Sequence, residues 1–261
     1  MAKNLFLLDV PIFEVEFEKD KEYKYSTDIG TQNLNDVLNK ASGGYCMYCY
    51  TKILVDNKLI SHLEHSIEQV NSYILKDCHM NISITCPKCN LSYKKKGQKK
   101  RALDEEELKV FEENCDCNHN CTTMCESYDE LKDKYISKDC AQIILQPFGV
   151  INKITKNRYL LQYDILNQSF IFSDKYDYND YEKDFILKHI KRFNLNDSKC
   201  RTKEVIKVCE DVIYNKNIPR KKRYDNLIAD LFIDRLNELD LDKAVKLCEN
   251  IIVISNFNHK S

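Results

Sequence analysis

The sequence predicts an α+β protein, and three observations carry that expectation. Alternating or continuous apolar runs, the mark of strands, occupy residues 5–17 and recur between residues 141 and 173. From Tyr181 onward, apolar residues fall near every 3.6 positions in four successive stretches, as in amphipathic helices. Between these regions two C-x2-C pairs bracket a β-rich segment, so a metal ion rather than a large apolar core organises that part.

Composition bounds the answer further. The 261 residues hold 40 Lys+Arg against 41 Asp+Glu, 43% apolar residues and 13 Cys. Such a chain forms one large domain or two modest ones and buries a core without staples. Disorder, collagen and coiled coil are excluded by composition. No apolar stretch approaches the ~18 residues of a transmembrane helix. The N-terminal run MAKNLFLLDVPIFEVEF turns acidic early and reads as a strand rather than a signal peptide. An odd cysteine count without such a signal points to a reducing, cytoplasmic setting, where thiols bind metal or stay free.

Taken in order, residues 5–17 give one or two strands. TQNLNDVLNKA, residues 31–41, suits a short helix entered from Thr31 and ended near Gly43-Gly44. YTKILVDNKLISHLEH reads as a β-hairpin around Asp56-Asn57, and residues 80–96 start at the second C-x2-C pair and run into a helix. LDEEELKVFEEN, residues 103–114, is an acidic amphipathic helix. Residues 141–149, 157–164 and 168–173 are expected strands, the last two joined by a turn at Asn167-Gln168. The expected organisation is an N-terminal strand/helix segment (1–43), a core (44–102), an acidic helix with a Cys/His cluster (103–140), and a strand pair with helices (141–261).

The cysteines divide into classes. Cys46 and Cys49 form one knuckle and Cys86 and Cys89 a second, and together they supply the four thiolates of a tetrahedral zinc site. The gap of about three dozen residues exceeds a zinc-ribbon loop, so a substructure lies between them. Cys115, Cys117, His119, Cys121 and Cys125 form an irregular cluster, a candidate second zinc site. The alternative is a reduced Cys-rich loop. Cys140, Cys200, Cys209 and Cys248 lie singly and read as small core residues.

The order along residues 44–101 is C-x2-C, hairpin, Glu64-His65, Asn81, C-x2-C, Asn90, then Lys94. This pattern resembles the HNH (ββα-metal) endonucleases of the zinc-supported type. The resemblance implies a ββα-metal core hydrolysing DNA phosphodiester bonds, with His65 as general base and Glu64 and Asn90 as ligands of a catalytic Mg²⁺ or Mn²⁺. It implies for Asn81 the fixing of the loop that orients the base. The chemistry suits these groups: a neutral imidazole accepts a proton near pH 7, and a hard divalent ion neutralises phosphate charge. His62 lies two residues before Glu64, on the same strand face, and is an extra candidate ligand. His79 has no assigned role and reads as structural. One departure stands out: family members often place an apolar residue and a Pro after the His, where this chain has Ser66-Ile67-Glu68-Gln69.

Lys88, Lys94, Lys95, Lys96, Lys99, Lys100 and Arg101 put seven positive charges and no acid into KCNLSYKKKGQKKR, a candidate track for the backbone of double-stranded DNA. The acidic stretch Asp104 to Glu107 that follows either favours its helix or limits unproductive DNA binding. PRKKR, residues 219–223, either extends the track or is a surface turn. Phe193, Asn194, Leu195, Asn196 and Arg201 are similar to a segment after the HNH core in Septu and retron-associated defence nucleases. That resemblance implies an antiphage effector working beside an ABC- or SMC-like ATPase, with no membrane partner. The alternative reading is a zinc-supported nucleic-acid-binding or adaptor protein without hydrolysis.

Overall fold

A computed structural model describes residues 4–56, 58–115, 121–197 and 203–258. The chain is a mixed α+β protein with small antiparallel sheets, and it divides into two compact units. One unit comprises the residues up to Pro11, Tyr50–Lys52 and the chain from Tyr159. The other comprises Ile12–Cys49 and Ile53–Arg158. The division differs from the four consecutive segments expected, because the N-terminal strand is completed by residues some 150 positions later.

In the first unit, β1 (Leu7–Asp9) pairs with β6 (Leu161–Asp164), which pairs with β7 (Ser169–Phe172). Only three residues of the expected 5–17 run join a ladder. The β6–β7 turn lies where Asn167-Gln168 placed it, with Gln168 at a φ of 49°. Four helices follow: α5 (Asp180–Arg192), α6 (Lys203–Asn215), α7 (Leu227–Asn237) and α8 (Leu241–Asn258). Asn179 caps α5 through a reciprocal pair with Glu182, which satisfies two otherwise unpaired N–H groups. Cys209 and Cys248 are buried, as expected of small core residues. Asn196 holds both backbone groups of Phe170, accepting from its N–H at 2.6 Å and donating to its carbonyl at 3.1 Å. Arg201 and Cys200 lie outside the described residues.

In the second unit, α1 (Asp28–Ser42) begins three residues earlier than expected. Thr27, not Thr31, accepts from the Gly30 N–H at 3.1 Å as N-cap. Gly43 closes the helix at a φ of 64°, where glycine escapes the Cβ penalty. The expected hairpin exists as β2 (Leu54–Val55) and β3 (Lys58–Leu59). The strand that follows, β4 (His62–His65), pairs instead with β5 (Ile82–Thr85). Between them lie α2 (Tyr73–Asp77), capped by Ser72, and a 3₁₀ turn, His79–Asn81. A wide helical turn, Cys89–Lys94, and a 3₁₀ turn, Gln98–Arg101, follow β5.

The acidic segment forms α3 (Glu105–Asn114), packed on α4 (Glu126–Ile136). Asp104 and Glu107 make a capping box, with bonds of 2.9 and 3.0 Å, so their carboxylates serve the helix N-terminus. The expected strand at 141–149 is irregular chain. Pro147 lacks an N–H for a ladder, and Phe148 and Gly149 both take positive φ, while Ile143, Ile144 and Leu145 still bury in the core.

Candidate active site and zinc centre

Four thiols come together first. Cys46 and Cys49 follow the αL turn after α1, and the Met47 N–H donates to the Ile84 carbonyl at 3.1 Å, tying this knuckle to β5. Cys86 and Cys89 open the helical turn beyond β5, where the Cys89 and Asn90 N–H groups both donate to the Cys86 carbonyl. The Sγ atoms of Cys46, Cys49, Cys86 and Cys89 all lie within 4.8 Å of one another, with Cys49 and Cys86 at 3.6 Å. Zinc with Zn–S bonds of ~2.3 Å requires sulfurs about 3.8 Å apart at tetrahedral angles, so the set fits zinc. Burial raises the Cys46 thiol well above its ordinary value, and only a cation holds such closely packed thiolates ionised. Among the described residues this is the only group of three or more His, Cys or carboxylate ligands so gathered.

β4 and β5 set the rest of the site by register. His65 stands opposite Ile82, Glu64 opposite Ser83 and His62 opposite Thr85. The His65 ring meets the edge of Tyr25 at 4.8 Å, and its Nε2 lies 2.9 Å from the Lys76 carbonyl. A carbonyl only accepts, so Nε2 carries the proton and Nδ1 keeps its lone pair. Burial lowers the pKa of His65 below its ordinary value, with the Lys76 carbonyl opposing, which keeps the imidazole neutral at pH 7.

Asn81 is fully buried and clamps the loop beyond His65. It accepts from the Ile67 N–H at 2.7 Å, donates to the Ile67 carbonyl at 2.9 Å, and accepts from the Tyr128 hydroxyl at 2.9 Å. Its own carbonyl takes the Ser66 N–H at 2.7 Å. The loop is thus held by side-chain bonds in the absence of a proline.

Glu64 has a different environment from the one the resemblance implies. Its Oε1 takes the Lys94 ammonium and its Oε2 accepts from Ser83 at 3.3 Å. Burial pushes the Glu64 carboxyl up, and Lys94 pulls it part of the way back. Lys94 also donates to the His65 carbonyl and lies 3.9 Å from Glu68. Glu68 in turn receives Arg101 at 2.6 and 2.8 Å and the Tyr135 hydroxyl at 2.9 Å. The chain of charges runs Glu64, Lys94, Glu68, Arg101, and every member is at least nearly buried.

Asn90 stands across from His62, with its Nδ2 3.3 Å from His62 Nδ1. Turning the amide by 180° presents its oxygen in the same place. Asn90 therefore faces His62 rather than Glu64, whose carboxylate is taken by Lys94. His65, Glu64, Asn90, Lys94, Glu68 and Tyr25 line one cleft of about 260 Å³.

The basic run divides. Lys94 and Arg101 are 2% and 0% exposed and bound in the ion chain, so neither reaches a phosphate; this corrects their assignment to the DNA track. Lys88 and Lys96 lie over the Tyr93 ring at 5.3 and 5.6 Å. Lys95, Lys99 and Lys100 are exposed beside a neighbouring cleft of about 810 Å³ and make no ion pair among the described residues. In the second run, Lys221 and Arg223 pair with Asp234 and Asp211, which favours the surface-turn reading.

At the irregular cluster, Cys115 ends α3 and Cys125 stands at the start of α4. Cys117 and His119 lie outside the described residues. Sequence reasoning misses Glu68, Arg101 as its buried partner, and Tyr135; no local pattern marks a pair 33 residues apart. Compared with protein-family models, curated proteins and solved structures, the chain matches none. Among the described residues no helix is long and apolar enough to cross a membrane.

Proposed function

We propose that this chain is a metal-dependent endonuclease of the HNH type that hydrolyses DNA phosphodiester bonds. The observation that carries the reading is His65: a neutral imidazole whose Nε2–H is committed to a carbonyl, in one cleft with Asn90. Its remaining nitrogen suits it to take a proton from an attacking water. Asn81 fixes the loop behind it, and Lys94, bonded to its carbonyl, braces it from the other side. A divalent ion on Asn90 and His62 would supply charge neutralisation at the phosphate and at the departing oxygen. An imidazole among the ligands favours Mn²⁺ over Mg²⁺. Lys95, Lys99 and Lys100 supply charge for the DNA backbone without reading sequence. A role as antiphage effector beside an ABC- or SMC-like ATPase rests on the resemblance at residues 193–196 and Arg201 alone.

One observation favours the second reading, a zinc-supported nucleic-acid-binding or adaptor protein. Glu64, a metal ligand by resemblance, is occupied by Lys94. Plasmid nicking with Mn²⁺ or Mg²⁺ separates the two. The nuclease reading expects cleavage by wild type and a loss of at least about 100-fold in His65→Ala, the low end of a general base's contribution, at unchanged zinc content. Undiminished cleavage in that variant removes His65 from catalysis. DNA retention by wild type with no cleavage under either ion establishes the adaptor.

A further inference from the structure

The run from Phe13 to Phe17 has the pattern of a strand but lies in no sheet. Phe13, Val15 and Phe17 are 4%, 5% and 6% exposed, while Glu14 and Glu16 between them are exposed. A period of two is that of extended backbone. At its ends the run is paired. The Phe13 carbonyl accepts from the Phe148 N–H at 2.9 Å, and the Glu18 N–H donates to the Tyr23 hydroxyl at 3.2 Å. Between them, no backbone N–H or carbonyl of Glu14, Val15, Glu16 or Phe17 bonds to another described residue. Backbone polar groups beside a core are almost always paired, and an extended run without a neighbour is a template for another strand.

The same residues line a cleft of about 770 Å³. Asn33, Asp36, Val37 and Lys40 of α1, spaced three and four apart, share one helix face and line it too. The lining is negative: Glu14, Glu16, Glu18 and Asp36 stand against Lys21 and Lys40, and Lys21 is held by Glu18 at 2.9 Å. Glu16 and Asp36 make no ion pair among the described residues.

We propose that this cleft takes an extended, basic segment of a partner protein, added as a strand along Glu14–Phe17. Main-chain bonds to the unpaired edge would hold it, as in β-strand addition. The two faces of the added strand meet different neighbours. One set of its side chains falls beside Glu14 and Glu16, where Lys or Arg pairs across the strands; the other falls beside Val15 and Phe17, where apolar residues fit. The partner segment therefore alternates basic and apolar residues. At ~3.3 Å per residue the edge is about 13 Å long and pairs with about four of them. The inference is independent of the nuclease reading, because its test reads peptide binding and amide exchange and not cleavage.

The probe is a fluorescein-labelled octapeptide alternating lysine and valine, compared by anisotropy with a peptide of the same composition in two blocks. The alternating peptide is expected to bind the full chain more tightly, and to slow hydrogen exchange at the amides of residues 14–17. Glu16→Lys, an exposed site, should weaken binding roughly three- to tenfold at an unchanged unfolding curve. Equal affinity for the two peptides overturns the proposal, as does exchange at residues 14–17 that the peptide leaves unchanged. Protection of those amides that grows with protein concentration in the absence of peptide also overturns it, and assigns the edge to a second copy of this chain.

Discussion

Lys94 and Arg101 belong to the same basic run as Lys95, Lys99 and Lys100, yet the two groups have opposite fates. The first two are drawn under the cleft and neutralised by Glu64 and Glu68. The other three remain exposed and make no ion pair among the described residues. Gly97, at a φ of 75°, lets the chain turn between them; a Cβ there would come within 2.7 Å of Cys140. Charge in sequence is therefore a poor guide to charge on a surface. The buried members shape the site, and on the proposed nuclease reading the exposed members are the ones that would meet a polyanion.

The largest effect is expected below the cleft. Arg101→Met leaves Glu68 buried with Tyr135 and a more distant Lys94 as partners, and breaking a buried pair from one side costs about 3–5 kcal/mol. Urea unfolding should show that loss, and Glu68→Gln/Arg101→Met together should recover much of it. A loss under ~1 kcal/mol in the single variant would mean the chain of charges is not structural.

A second buried lysine sharpens the contrast. Lys132 is 6% exposed, donates to the Gly149 carbonyl at 3.0 Å, and has no ion pair among the described residues. Burial brings its pKa down to about 8, against the pull of Asp129 and Asp133. Its ordinary value is 10.5, so between pH 8 and 10.5 the unfolded chain holds a proton that the folded chain has released. Stability contributed by this group should therefore rise with pH across that window, by about 3 kcal/mol. Lys132→Met should lack the rise; equal pH slopes in variant and wild type would show that Lys132 stays charged in the fold.

What could be read ahead of the structure follows from distance along the chain. The helices from Asp180 onward declare themselves through local period, and C-x2-C declares a ligand pair through local spacing. The partner of a strand does not: β4 is continuous with β2 and β3 in sequence but pairs with β5, and β1 finds β6 far along the chain. Glu64 shows the same limit at the site. Its position beside His65 is legible, but the ammonium that occupies it comes from 30 residues away. His62 is legible as a residue on Glu64's face, though only the fold sets it against Asn90. The segment 141–149 misleads because its apolar content is genuine while Pro147 and Gly149 deny it a ladder.

The smallest effect on stability, and the most direct on DNA binding, is expected at the exposed end of the run. Lys99→Ala/Lys100→Ala removes two side chains that make no ion pair among the described residues, so unfolding should shift by no more than about 0.5 kcal/mol. Each phosphate left without its lysine should flatten the dependence of log affinity on log salt by about 0.9 on a duplex. A titration over roughly 50 to 200 mM salt therefore counts those phosphates directly, up to two for this variant. A weaker affinity with an unchanged slope would place the two lysines away from the DNA backbone and shift attention to Lys88, Lys95 and Lys96. The pairing of a salt slope with an unfolding curve separates the two halves of the run, because Arg101→Met should move mainly the curve and the double alanine mainly the slope.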